Sequence, residues 1–429
     1  MQNFNLKIMD ESTYDVFVAG TGLAGIAAAI GAARDGLKVG MAEYFGRPGG
    51  VPVSGILGIV SGLRTEDELV SDGFFFRELL ERARAVNGVV ERPGRGMFEP
   101  EKLSLILLEM LAENGVELSL YTPLIGAEVE GRRIAAAITS SKSGNHRVRA
   151  RLFVDATGDG DLAAMAGCPY EIGRESDGKV QSSSLTFCIG GIDADRVPPT
   201  PEITAIWRRY EHQVPTDHAV VNRLPHGHGA ILNMTHILDC NCLNDADLLR
   251  IRREGTRQAF EIVDFFRARV PGFENACLSM TAEQVGVRET RRITGDYILT
   301  KDDVTAGRDF PDRIARCAWP IDIHNPEAPH SDGMIHLKQS YSIPYRCITP
   351  LGMDNLYMAG RPISADHVAF SSSRINGTCI ALGQAIGLAA SEAVKHGTRG
   401  VDVGGLQARL RAGGAVVDRT GIPAEQGKA

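Results

Sequence analysis

The chain has 429 residues, enough to bury a sizeable core without disulfide or metal staples. Its 43% apolar and 23% charged residues exclude disorder, collagen and coiled coil as global descriptions. A net charge of −7 disfavours a nucleic-acid binder, and 48 glycines point to tight turns and close backbone approach to a ligand. No run of 18 apolar residues predicts a membrane span, and the N-terminus has no signal-peptide core. The eight cysteines are scattered without a CxxC pair, so no metal site is expected, and a cytoplasmic protein with reduced thiols is.

In chain order, residues 14–19 (YDVFVA) read as a strand that runs into Gly20-Thr21-Gly22-Leu23-Ala24-Gly25. An alanine-rich helix follows, then the strand KVGMAE ending at Glu43. This order assigns each residue a task. Gly20 permits the tight turn, Gly22 admits a pyrophosphate, Gly25 lets helix and strand pack, and Glu43 accepts the adenosine ribose hydroxyls. The helix N-terminus offers free N–H groups to the phosphates. Residues 101–114 form an amphipathic helix, 116–121 a strand, and LIGAEVEG with RIAAAITSS a hairpin turning at Gly131-Arg132. The next strand ends in Ala156-Thr157-Gly158-Asp159-Gly160-Asp161. No second GxGxxG follows a strand, so a nicotinamide domain is missing. From about 180 to 340 the chain changes character, with the prolines of VPPTP and a long helix at 245–269. It then returns to a glycine-rich style at 355–361 and a helix from about 376 to 395. The last stretch, GIPAEQGKA, reads as a frayed tail.

These residues resemble a known family. The blocks GRPGG (46–50), LFVDATGDGDLAAMAG (152–167), VGVRETRRITGDYILTKDDV (285–304) and the long block from Ser342 to Ala390 look like those of the FAD-dependent oxidoreductases with a glutathione-reductase-type FAD fold. The resemblance implies an α/β architecture, with a Rossmann-like FAD-binding domain and an inserted α+β substrate domain. The FAD domain would comprise 1–180 and 341–412, the substrate domain 181–340, and a C-terminal tail 413–429. It implies bound FAD but no particular substrate. Carried over, Gly20, Gly22 and Gly25 would hold the pyrophosphate and Glu43 the ribose. Arg47, Gly49 and Gly50 would lie beside the diphosphate and isoalloxazine. Val129 or its neighbour would meet the adenine through its backbone. Gly158 and Asp159 would close the cleft, and Gly360 would lead to Asp366 at the ribityl or phosphate region.

Several chemical candidates remain. Asn376, Gly377 and Thr378 begin a helix suited to the flavin N1 and C2=O, or to ordinary packing on the sheet. His367 is a candidate proton acceptor, against a structural histidine bonded to a carbonyl. Arg288, Glu289, Arg291 and Arg292 are either an exposed charged face or an anion clamp, with Arg291 first in the second reading. Arg374 is a candidate for an anionic substrate or the flavin O2 edge. Tyr341, Tyr345 and Arg346 read as hinge packing before pocket lining. His226 and His228, with His236, invite a metal reading, but a loop is favoured. Cys240 and Cys242 are a weak candidate redox pair. The expected function is a dehydrogenase or oxidase that moves a hydride from a small alcohol or amine to FAD. Electrons would pass to O₂, a quinone or another acceptor. The rivals are a reductase of an unsaturated carboxylate and a non-catalytic electron-transfer flavoprotein subunit. Beyond the small-molecule substrate, a homo-oligomer and an electron-acceptor protein stay open as partners.

Overall fold

The structure is a computed structural model that describes residues 7–328 and 331–421. A parallel sheet carries the larger core. Its strand order is Glu117–Ser119, Val39–Ala42, Ile8–Ala19, Gly144–Asp155, with Leu356–Met358 beside the last. An antiparallel pair, Leu124–Glu130 and Arg133–Ser141, branches from the N-terminal half of Gly144–Asp155. The first strand begins at Ile8 rather than Tyr14, because it pairs with Gly144–Asp155 from Ile8↔Asn145 onward. Its first half is polar and largely unburied, so an apolar run marks only the second half.

Two helices lie against each other over this sheet. Leu23–Arg34 and Asn376–His396 approach so closely that a Cβ at Gly383 would stand 2.2 Å from Ala24 O, and one at Gly387 2.8 Å from Ala28 O. Glycine and alanine at this seam are therefore required by packing. Asn376–His396 has the length and apolarity of a membrane-crossing helix, and 83% of its most apolar stretch is buried within the protein.

A second core belongs to the inserted segment. Val221–Arg223, Gly229–Leu232, Phe187–Gly190 and Cys277–Thr281 form an antiparallel sheet in that order. The helix Asp245–Arg269 supplies Ala259, Ile262, Val263 and Phe266 to a cluster with Phe187, Trp207 and Phe273. Residues beyond about 290, expected within the substrate domain, pack elsewhere. Ile293, Leu299, Ile314 and Ile321 are buried in the larger core, and Arg313–Cys317 pairs with Tyr341–Pro344. Tyr341 and Tyr345 are buried, their hydroxyls bonded to Ser372 and to Tyr357 and Thr398, which is packing. The first part of the expected tail is docked: Thr420–Gly421 pairs with Glu68–Leu69, and Asp418 holds Arg313 and Arg411. Residues 422–429, most of the stretch read as frayed, lie outside the described residues.

Candidate functional site

The glycine turn has the geometry its sequence predicts. Gly20 has φ +94°, and a Cβ there would stand 2.4 Å from Ala156 O. A Cβ on Gly25 would stand 2.4 Å from Gly20 O and 2.8 Å from Ala156 Cβ, so helix and strand meet only through glycine. Gly22 is the N-cap of the helix Leu23–Arg34, and no side chain caps the first-turn N–H groups. The 46–50 loop closes over this turn: Gly49 N donates to Thr21 O at 2.8 Å, and a Cβ on Gly50 would come within 2.9 Å of Gly22 Cα. Glu43 is buried and braces the turn, accepting from Thr21 N (2.8 Å), Thr21 Oγ1 (2.6 Å) and Phe45 N (3.0 Å). The Thr21 bonds were not anticipated from sequence.

The Ala156–Asp161 turn is organised by Asp155, which was not singled out. Its fully buried carboxylate accepts from Thr157 N, Thr157 Oγ1 and Ala163 N. Burial pushes it up to about 6, against the pull of these bonds. Gly158 and Gly160 have φ +82° and +68°. Gly360, at φ +85°, faces Ala24 and Cys379, so it lies where the two helix starts converge.

Several expected cofactor or substrate residues have other partners. Asp159 accepts from Arg361 (2.6 Å) and Thr290 (2.5 Å), locking the turn. Arg291, favoured as the anion clamp, bonds Asp161 Oδ1 (2.8 Å) and Asp159 O (3.1 Å) and so is part of that lock. Asp366 caps the helix His367–Ser373: Oδ1 accepts from Ala369 N and Oδ2 from Lys301 N, so both oxygens are committed to backbone. Arg47 pairs with Glu101 at 2.6 Å. Val129 is exposed and sits opposite Ile134, whereas the segment beside Glu43 is Tyr121-Thr122, with Thr122 N donating to Glu43 O at 2.7 Å. His226 and His228 stand on an exposed turn.

A buried polar cluster forms where the inserted segment meets the larger core, and Gln181 is its hub. Gln181 N donates to Glu289 Oε2 (3.0 Å), while its Oε1 accepts from His324 N (3.2 Å) and Arg374 Nη2 (3.3 Å). Glu289 also holds Arg292 and, at 2.9 Å, His367 Nδ1. Asp322 Oδ2 lies 3.4 Å from His324 Nε2 and 3.9 Å from Arg374 Nη2. Ser182 joins His236 Nε2 (2.6 Å) and accepts at its carbonyl from Arg288 Nη1 (2.9 Å).

Electrostatics follow from this burial. Arg288 is pushed down to about 10 by burial and then by Arg374. Burial, then Arg288, lowers His324 to about 4 and His236 to about 3, so both are neutral at pH 7. Burial alone would raise Asp322, but His324, Arg374 and Arg288 outweigh it and hold it at about 2. Among the described residues, three buried atoms of the cluster have no partner: Gln181 Nε2, Arg374 Nε and Asp322 Oδ1. Next to it, Cys242 Sγ lies 3.0 Å from Ser183 Oγ. Asp322, His324 and Gln181 were missed because each stands alone in a polar or alternating segment. Arg374 was expected at an anionic substrate or the flavin O2 edge, and Arg288 only as one member of the charged group at 288–292.

The residues fit FAD. Beyond the glycine turn, the helix Asn376–His396 also starts without a side-chain cap, and Thr378 Oγ1 in its first turn is buried and unpartnered. Asn376 Nδ2 is tied to Ile59 O (2.8 Å), and a Cβ on Gly377 would meet Ser61 O at 2.6 Å. The helices Leu23–Arg34 and Asn376–His396 thus both start without a side-chain cap, and an uncapped helix start suits a phosphate or a carbonyl edge.

Solved structures with a measure of similarity include a geranylgeranyl bacteriochlorophyll reductase-like protein from Thermoplasma acidophilum. It has 16% identity and a TM-score of 0.49, over 94% of this chain and 83% of that one. Flavin-dependent brominase Bmp2 has 15% identity and a TM-score of 0.48, over 94% and 83%. The p-nitrophenol 4-monooxygenase PnpA from Pseudomonas putida DLL-E4 has 13% identity and a TM-score of 0.45, over 94% and 84%. No curated protein matches the chain. The sequence profile of the FAD dependent oxidoreductase family matches residues 15–410, and the chain belongs to that family, an enzyme whose cofactor is FAD.

Proposed function

We propose that the protein oxidises a small polar organic molecule, an alcohol or amine, at the cluster around Gln181. The strand order with its antiparallel branch supports a glutathione-reductase-type arrangement of the cofactor domain. Bound FAD supplies the hydride acceptor. The chain's own residues supply the rest. Gly20, Gly22 and the first turn of Leu23–Arg34 hold the diphosphate, and Glu43 holds the turn and reaches the ribose. Gly377 and Thr378 bind the flavin carbonyl edge.

The observation that carries the reading is the pair of histidine–carboxylate contacts flanking Gln181. Glu289 receives His367 Nδ1–H, which leaves Nε2 as the acceptor for a substrate proton. Arg292 neutralises Glu289 so that the carboxylate stays buried and aimed. Asp322 keeps company with a neutral His324 on the other side. A surface cleft bordered by Arg92, Arg95 and Trp319 reaches Ser61 and Gly62, which abut Gly377, and offers an entry.

The test is anaerobic stopped-flow reduction of the holoenzyme with a panel of alcohols and amines. One donor should bleach the flavin, and His367→Asn should slow that step by about 10²–10⁴ with FAD retained. Bleaching at the parental rate in His367→Asn, with slowing in His226→Ala, would move the chemistry away from this cluster.

A further inference from the structure

We infer that the substrate of this site is a small carboxylate that also carries a hydroxyl or amino group, held by Arg288, Arg374, Gln181 and Asp322. The inference rests on the proposed oxidation at the same cluster and adds the chemical class of the molecule bound there.

Neither arginine has a close counter-charge among the described residues, although Arg288 is buried and the Arg374 side chain is only 18% exposed. Arg288 is 9% exposed, and its one hydrogen bond among the described residues goes to the carbonyl of Ser182. It forms no ion pair there. Arg374 bonds a carbonyl and an amide oxygen and meets a carboxylate only at 3.9 Å. Elsewhere in the same core the pattern is different: Arg292 has Glu289, and fully buried Arg316 has Asp309 at 2.8 Å. A buried charge without a close counter-charge is costly, and a planar anion taking two N–H bonds from a guanidinium relieves that cost. Arg288 and Arg374 reach the adjacent residues Ser182 and Gln181, so one small anion can bridge them.

The three orphan atoms specify the ligand further. Arg374 Nε and Gln181 Nε2 are donors, suited to carboxylate oxygens. Asp322 Oδ1 is an acceptor, ionised because Asp322 is held at about 2. It calls for an O–H or N–H on the same molecule. Buried polar atoms of a native site are expected to be paired, and one hydroxy or amino acid pairs all three. Neither a simple carboxylate nor a neutral alcohol does so.

The experiment is calorimetric titration of the FAD-loaded protein, read in parallel by the absorbance of the bound flavin. The probes are glycolate, L-lactate, glycine, acetate and methyl glycolate. Glycolate or another of the bifunctional acids should bind. Acetate should bind about tenfold or more weakly, because Asp322 Oδ1 stays unpaired. Methyl glycolate, without the negative charge, should not bind. Arg374→Met should lose at least tenfold in affinity at unchanged FAD occupancy, and Asp322→Asn should shrink the preference of glycolate over acetate. Should Arg374→Met fail to fold, Arg288→Lys provides the same comparison with the charge kept and the fork removed. Equal binding of glycolate and its methyl ester would overturn the inference. So would parental affinity in the arginine variants, or failure of every acid to bind. Acid-selective binding without flavin bleaching by any donor would leave the inference standing and count against the oxidation.

Discussion

Alanine at Gly22 and at Gly25 should separate cofactor binding from folding. Gly22 has φ −61° and ψ 162°, a conformation open to alanine, and the nearest atom to an added Cβ is Ala156 O at 4.0 Å. The weaker N-cap costs about 0.5–1 kcal/mol. The lower entropy of the unfolded chain returns about 0.4–1 kcal/mol. The apoprotein should therefore melt within a degree or two of the parent. The same methyl stands where the diphosphate must approach, and overpacking of about 1–3 kcal/mol weakens FAD by about 5- to 150-fold. At Gly25 the Cβ meets Gly20 O at 2.4 Å, so backbone must move and the apoprotein itself should lose about 1–3 kcal/mol. The assay is thermal melting of dialysed apoprotein followed by FAD titration for each variant. An unchanged FAD Kd in Gly22→Ala, or an unchanged melt in Gly25→Ala, would refute the packing argument.

Glu289→Gln should destabilise the fold by about 3–5 kcal/mol, measured by melting, because Arg292 is left buried without its counter-charge. Asp366→Ala should cost about 1 kcal/mol through loss of the helix cap while FAD occupancy is retained, since Asp366 bonds backbone alone. The histidines set a pH dependence. His324 lies near 4 in the folded protein against 6.5 unfolded, so the unfolded chain binds more protons between those values and stability falls as pH drops from about 6.5 to 4. The effect is about 3 kcal/mol, and His324→Gln should melt with a correspondingly flatter pH profile across that window.

Much of the cofactor unit was legible because local rules decide it. A glycine turn after an apolar strand, a small-residue helix and an acid at the next strand end have few structural meanings. The long helices expected at 245–269 and from about 376 to 395 are both present, as Asp245–Arg269 and Asn376–His396. The substrate side was not legible. Arg288, Arg291 and Arg292 are nearly equivalent in sequence, and only the fold puts Asp161 against one and Glu289 against another, while the third forms no ion pair among the described residues. Gln181 and Ser182 gain their meaning only from His324 and Arg374, which arrive from far along the chain. Asp366, expected at the cofactor, proved to be a helix cap, a use for which aspartate next to a helix start is equally suited.

The helices that frame the cofactor cleft, Leu23–Arg34 and Asn376–His396, come from opposite ends of the chain, and their seam of glycine and alanine tolerates no filler. This has a consequence for the order of events at the ribosome. The inserted sheet and its covering helix lie wholly within residues 187–281, so that unit has all of its strands long before synthesis ends. The larger sheet must wait, with the edge of Gly144–Asp155 open, until Leu356–Met358 and then Asn376–His396 emerge. With the proposed cofactor site, FAD would accordingly be a late arrival. A nascent chain halted before residue 376 presents a glycine turn with half a cradle, and loading of the cofactor reports that the last large helix has docked.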